Sequence, residues 1–373
     1  MQDYKTEYPF DITLTEEQQI TWDMLRKFAE TEMRPKAREA ESNGRPSDDL
    51  LNKMKDLDLI SLIIPEAHGG MGLEQDAVSN ALALEALAYG DFSLAMSISV
   101  PLLVTQIINQ HGSEDQKVKY LPILVSDSIF HIGLGLNNAL ISSDPYQSNI
   151  LAKEKGEEVT LNGIKTGVAF ANEARTFLIS ASNESGECNL YFIDSDQEGI
   201  EIREKEFMGL KGLPISEITL SNCKVDISQK LGGHNYSIHY QSLIDSSRIG
   251  MSALALGVCQ AVLDYVVPYT NERVAFDEPI SNRQSVAFMV ADMAIETEAL
   301  RLMVYKSAAL KDLGENYHKQ ASLTYRFASH HGMKIGTDGV QLLGGHGYTH
   351  EHPVELWYRN LRAIGIFEGG AGV

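Results

Sequence analysis

From Leu14 to about Ser126 the apolar residues recur at helical spacing. Ile20, Met24, Leu25 and Phe28 fall on one helical face, and Thr13 and Thr15 followed by Glu16 and Glu17 mark a helix start. Further helices are predicted over 48–62, 75–88 and 94–110, interrupted by the turn Pro65-Glu66-Ala67-His68-Gly69-Gly70. Between about 128 and 233 the period changes to alternation, with strands predicted over 158–161, 176–182, 189–195 and 217–225 between Gly, Asn and Asp. From about Tyr236 the helical period returns, with Leu254, Val258, Ala261, Val262 and Tyr265 on one stripe. Helices, then strands, then helices predict an α+β chain of three units, bounded at 1–126, 127–234 and 235–373.

A chain of 373 residues with 43% hydrophobic content has material for a sizeable core. Its 31 basic and 51 acidic residues give a net charge of -20, which argues against nucleic acid or an anionic membrane as a general partner. A phosphate-bearing ligand would have to be held against that field by local cations and helix N-termini. Three cysteines, Cys188, Cys223 and Cys259, lie at spacings that suit neither zinc nor a CxxC pair, which fits a reducing compartment. Residues 1–11 are polar, and the apolar runs read as too short for a bilayer span, so a cytoplasmic location is expected.

The motifs are informative first by what is missing. There is neither a strand-borne GxGxxG nor a GxxxxGK[ST], so neither a Rossmann site nor a P-loop is indicated. Gly344-Gly345-His346-Gly347 instead follows a helical pattern. His346, His350 and His352 include an i,i+4 pair, but intervening Gly and the lack of a carboxylate companion argue against a metal site, and none is expected. His330 and His331 read as helix surface or core edge.

The stretch Gln341-Leu342-Leu343-Gly344-Gly345-His346-Gly347-Tyr348-Thr349, with Pro353-Val354-Glu355, Tyr358-Arg359 and Ile366-Phe367-Glu368-Gly369 following at matching spacing, resembles the C-terminal signature of the acyl-CoA dehydrogenase family. Residues 65–72, 111–122, 162–165 and 271–293 agree in order, so the resemblance spans nearly the whole chain. It implies an N-terminal helical domain, a middle β-barrel and a C-terminal four-helix bundle, assembled as a homodimer or homotetramer with FAD at subunit interfaces. The implied reaction is α,β-dehydrogenation of an acyl thioester, carried on CoA or an acyl carrier protein, with an electron-transfer flavoprotein or another acceptor as partner.

Such chemistry needs a carboxylate at the α carbon and donors at the thioester oxygen. By resemblance Glu368 is the base, its own backbone N–H is one oxyanion donor, and apolar Ile366 and Phe367 raise its pKa by desolvation. Some relatives place the base on the helix that starts near Asp245; Ser247 stands there in this chain. Asp245 and Arg248 match a substrate-contacting Asp-x-x-Arg, whose bland alternative is a local i,i+3 ion pair worth about 0.2–0.5 kcal/mol. Ser143 is a further substrate-binding candidate. Arg273, Phe276 and Gln284 match one set of FAD contacts donated by a neighbouring subunit, and Gln341, Gly344 and Gly345 match a second; a diphosphate suits a guanidinium fork, and glycine permits close backbone approach.

The middle unit departs from the pattern. Where relatives carry Thr-Glu-Pro-x-x-Gly-Ser-Asp, this chain has Asn137-Asn138-Ala139-Leu140-Ile141-Ser142-Ser143-Asp144. The aromatic and hydroxyl expected beside the flavin ring are Gly167 and Ala169, and the usual Thr after the base is Gly370. Each loss removes stacking or hydrogen bonds worth about 0.5–3 kcal/mol. Two readings follow: a flavin pocket rebuilt for an unusual thioester, or a flavin-poor structural subunit of a hetero-oligomer. A decayed site has no need of a buried carboxylate, which favours the first.

Overall fold

The computed structural model describes residues 13–73, 76–126, 129–139 and 144–373. Its N-terminal part runs through α1 (Glu16–Phe28), α2 (Ala37–Asn43), α3 (Asp48–Lys55), α4 (Leu59–Ile63), α5 (Ala77–Ala88), α6 (Phe92–His111) and α7 (Glu114–Ser126). Thr15 caps α1 in a capping box with Gln18, as the polar start predicts. The expected apolar stripe of α1 does not hold: Leu25 is buried, whereas Ile20 is 63% and Met24 50% exposed.

α6 is apolar on all sides because it is enclosed on all sides. It and α8 (Tyr240–Glu272) are each long and apolar enough to cross a bilayer, contrary to the expectation from run length, yet 89% and 78% of their most apolar windows are buried inside the protein.

Seven strands follow: β1 (Ile132–Gly135), β2 (Leu151–Lys155), β3 (Glu158–Ala169), β4 (Thr176–Ser182), β5 (Cys188–Asp194), β6 (Ile200–Glu204) and β7 (Ile215–Asp226). β4 pairs with β5 on one side and with β1 and the start of β2 on the other, and the order continues β2-β3-β7-β6. The sheet is therefore an open half-barrel, not the closed barrel expected from the sequence. β3 carries register shifts between Leu161 and Gly163 and between Lys165 and Val168. Bulges re-aim side chains, and the second one lies beside the candidate site.

After α8 come the hairpin β8 (Val274–Ala275) and β9 (Glu278–Pro279), then α9 (Gln284–Asp312), α10 (His318–Leu343) and α11 (Val354–Leu361). α8, α9 and α10 pack on one another, the short α11 lies against α10, and α5 also packs on α8 and α9. A Cβ on Gly257 of α8 would come within 2.2 Å of the Glu85 carbonyl oxygen on α5, so glycine sets how closely these helices cross. Gly339 does the same for α10, where an added Cβ would lie 2.5 Å from Val262.

Candidate active site

α8 starts beneath the half-barrel, so Asp245 and Arg248 in its first turns meet the segment that follows α11. Arg248 donates from Nε (3.0 Å) and Nη2 (2.8 Å) to the same oxygen of Glu368, Oε1. Oε2 has no hydrogen bond among the described residues, which leaves one carboxylate oxygen held and one available to take a proton. Glu368 is buried enough that desolvation lifts its carboxyl above the ordinary range; Arg248 opposes this, and Asp245 and Asp144 add to it. The expected desolvating pair is half right. Phe367 is 3% exposed, whereas Ile366 is 42% exposed.

The local i,i+3 alternative for Asp245 and Arg248 is not what forms. Their link passes through Tyr146, whose hydroxyl accepts from Arg248 Nη1 and donates to Asp245 Oδ1 at 3.0 Å. Ser322 of α10 accepts from Arg248 Nη1 at 3.1 Å, and the other Asp245 oxygen meets His318 Nδ1 at 2.8 Å. Tyr325 places its hydroxyl on the carbonyls of Ile364 and Phe367, 2.9 Å from the latter, fixing the backbone just before the carboxylate. Ser247, standing where some relatives carry the base, accepts from the Gly369 N–H at 2.7 Å. Ser143 lies outside the described residues.

The departing motif has a structural use. Asn137 Oδ1 accepts from the Glu368 N–H at 2.7 Å, so the expected oxyanion donor is engaged by a side chain. Asn138 donates to the Gln147 carbonyl (2.8 Å) and accepts from the Asn149 N–H (3.0 Å), pinning the turn that carries Tyr146. Behind it Lys165, fully buried, donates to Asn138 Oδ1 (2.8 Å) and the Leu136 carbonyl (3.0 Å). Gly167 has φ +73, and an added Cβ would lie 2.7 Å from the Phe367 ring and 2.9 Å from the Asn137 amide nitrogen. Phe367 in turn packs edge-on against Phe207, with centroids 5.3 Å apart. Aromatic area missing at 167 is thus present at 367 and 207.

Burial pushes the Lys165 ammonium down to about 7, and its hydrogen-bond partners include no carboxylate. The unfolded chain holds this proton up to about 10.5, so above pH 7 the unfolded state binds more protons, and stability rises with pH. Lys165→Met removes the effect. Wild type should gain thermal stability relative to K165M between about pH 7 and pH 9; a constant difference across that range would show that the amine does not titrate there.

The proposed nucleotide anchors sit elsewhere. Arg273 ends α8, about 25 residues and so roughly 35 Å along the helix from Arg248. Phe276 and Asp277 form the tip of the β8–β9 hairpin, both at positive φ (58 and 68), and Phe276 is 87% exposed. Positive φ at both tip residues is the geometry of a tight two-residue hairpin turn, here with a bulky aromatic left unburied. Gln284 begins α9 and is exposed. Gln341, Gly344 and Gly345 close α10 at the same end of the bundle, where Tyr269 of α8 reaches the Leu343 carbonyl (3.4 Å). Added Cβ atoms on Gly344 and Gly345 would meet nothing within 4 Å. The chain therefore places both candidate sets at one end of its helices, far from its own Glu368. Of the histidines weighed as metal ligands, His346 and His352 stack on each other at 5.2 Å and share their Nδ1 atoms with the hydroxyls of Tyr269 and Tyr265.

Tyr146, Ser322, Tyr325, His318 and Asn137 were not singled out in sequence. They stand outside matched motifs, apart from Asn137, whose signal was its departure from the pattern.

Comparison with known proteins bears on the family and the fold. Family models for the acyl-CoA dehydrogenase N-terminal, middle and C-terminal domains match residues 15–128, 139–223 and 239–373. The chain is 32% identical over 364 residues, 95% of each chain, to an acyl-CoA dehydrogenase of Bacillus subtilis (strain 168). It superposes with a TM-score of 0.84 on butyryl-CoA dehydrogenase from Megasphaera elsdenii, at 29% identity and covering 97% of this chain and 96% of that one. The prolyl acyl carrier protein oxidase AnaB shares the fold at a TM-score of 0.86 and 22% identity, covering 96% of both chains. The chain belongs to the acyl-CoA dehydrogenase family.

Proposed function

We propose that this protein catalyses flavin-dependent α,β-dehydrogenation of an acyl thioester, with Glu368 as the base. The observation that carries the proposal is the largely enclosed Glu368 carboxylate, held through one oxygen by Arg248 and lifted above the ordinary carboxyl range by desolvation. A base poised in this way can take an α proton without being solvated out of reach. Arg248 keeps the carboxylate oriented and balances its charge. The Glu368 N–H becomes a donor for a thioester oxygen when Asn137 gives it up.

The residues fit FAD at its nucleotide end. Arg273, Gln284, Gln341 and the open backbone at Gly344 and Gly345 offer a guanidinium, amides and close approach, and Phe276 offers an exposed ring face. Their separation from Glu368 within one protomer supports a shared site in a dimer or tetramer. At the ring end Phe207 and Asn137 stand beside Phe367 in place of the family's usual neighbours. Bound FAD would accept the hydride from the β carbon. This end is rebuilt, not empty of chemistry, which supports an enzyme over a flavin-poor structural subunit.

The test is anaerobic mixing with straight, branched and aryl acyl thioesters, on CoA or a carrier protein, while the flavin band is recorded. Loss of the band with at least one thioester is expected; a protein that takes up no FAD contradicts the proposal. Arg273→Ala should lower FAD occupancy of the purified protein at least severalfold while leaving the fold intact, and unchanged occupancy would remove Arg273 from the anchor set.

A further inference from the structure

Five groups form a continuous hydrogen-bonded path from the protein surface to the carboxylate. His318, with its side chain 43% exposed, meets Asp245 (3% exposed); Asp245 accepts from Tyr146; Tyr146 accepts from Arg248; and Arg248 donates to Glu368. The Tyr146 ring lies over the Arg248 guanidinium at 4.9 Å and edge-on to His318 at 5.6 Å, so its position depends on both neighbours. From the other side Lys165 and Asn138 fix the turn that carries it. No assigned motif contains Tyr146 or His318.

We propose that Tyr146 is a positioning residue that holds Arg248 on Glu368 and links the base, through Asp245, to the exposed His318 imidazole. The inference rests on Glu368 as the base of the proposed reaction.

The charges around the path define its sign. Glu368 faces Arg248 and Asp245 from α8, Asp144 and Tyr146 from the pinned turn, Tyr325 from α10 and Tyr240 from the start of α8. His318 faces Asp245 and the Tyr146 ring, with Tyr317 beside it and the Asn316 side chain on its backbone N–H. The negative field of Asp245 makes Glu368 harder to ionise, and Arg248 makes it easier. His318 Nδ1 occupies one Asp245 oxygen and the Tyr146 hydroxyl the other. Tyr146 satisfies one Asp245 oxygen and one Arg248 nitrogen at once, so without its hydroxyl that Asp245 oxygen loses its partner, Arg248 Nη1 keeps Ser322 alone, and the guanidinium is held less firmly on Glu368.

The experiment follows the carboxyl stretch of Glu368 by infrared difference spectroscopy against pH on the purified full-length protein with the flavin it carries. The band is assigned by its loss in Glu368→Gln. Tyr146→Phe, which keeps the ring, should raise the protonation midpoint by about half a unit or more, because Arg248 no longer sits firmly on Oε1. His318→Gln, at a half-exposed position that tolerates change, should raise it in the same direction, because one Asp245 oxygen loses its imidazole partner and the Asp245 field on Glu368 is less well satisfied. A midpoint unchanged in either variant overturns the proposal. The readout needs no turnover, so a protein that shifts as expected but reduces no flavin with thioesters would sink the proposed reaction and leave this arrangement standing.

Discussion

Glu368→Gln lowers the rate of thioester-driven flavin reduction by about 10²–10⁴-fold while FAD content stays unchanged. The amide keeps a carbonyl oxygen for Arg248 Nε and Nη2, so the geometry at Oε1 survives. What is lost is the carboxylate oxygen proposed to take the α proton. Ser247, the other position at which relatives place a base, is a hydroxyl already bound to the Gly369 N–H, and it cannot substitute. Stopped-flow absorbance at the flavin band gives the rate directly; E368Q reducing flavin at the wild-type rate would remove Glu368 from the chemistry.

Arg301→Met should cause the largest loss of stability, about 3–5 kcal/mol. Glu85 of α5 is wholly buried and is met by the Arg301 guanidinium and the Tyr305 hydroxyl of α9; Arg301 Nη2 also donates to Gln260 of α8 at 2.7 Å. Removing the cation leaves a buried carboxylate facing only a phenol. The pair stands where α5 crosses α8 at Gly257, so the loss loosens the helix that presents Asp245 and Arg248. A lower thermal midpoint is expected, partly recovered in the double replacement E85L/R301M, because two apolar side chains leave no orphaned charge. R301M melting with wild type would mean the pair contributes nothing.

The legibility of this chain in its sequence divides along physical lines. The long helices were visible because α8 and α10 keep an apolar period over many turns. β7 was visible through alternation, whereas β4, expected to alternate, is buried along its whole length and is bounded by turns. β1, β2 and β6 were not: β2 (LAKEK) buries only Ala152, and β1 is four buried residues of which two are glycine, so neither alternates. The closed barrel failed for the same reason, since strand pairing at the edges leaves no local trace. Within the site, Glu368, Arg248 and Asp245 were legible from contiguous motifs. Tyr146 and His318 were not, because residues 146, 248, 318 and 368 meet only through tertiary packing. The burial of Lys165 is explained by the bulge in β3, the Leu136 carbonyl and the Asn138 side-chain oxygen, which lie far from it in sequence. Gly167 looked like a lost flavin contact. In the fold it is the position that admits the Phe367 ring and the Asn137 amide.

Glu368, held by Arg248, is proposed to remove a proton from the carbon next to a thioester carbonyl. A single-turnover comparison of flavin reduction by an acyl thioester carrying hydrogen or deuterium at that α carbon isolates this step. Slower reduction with the α-deuterated thioester is expected. Equal rates for the two, with the flavin fully reduced by both, would overturn the assignment.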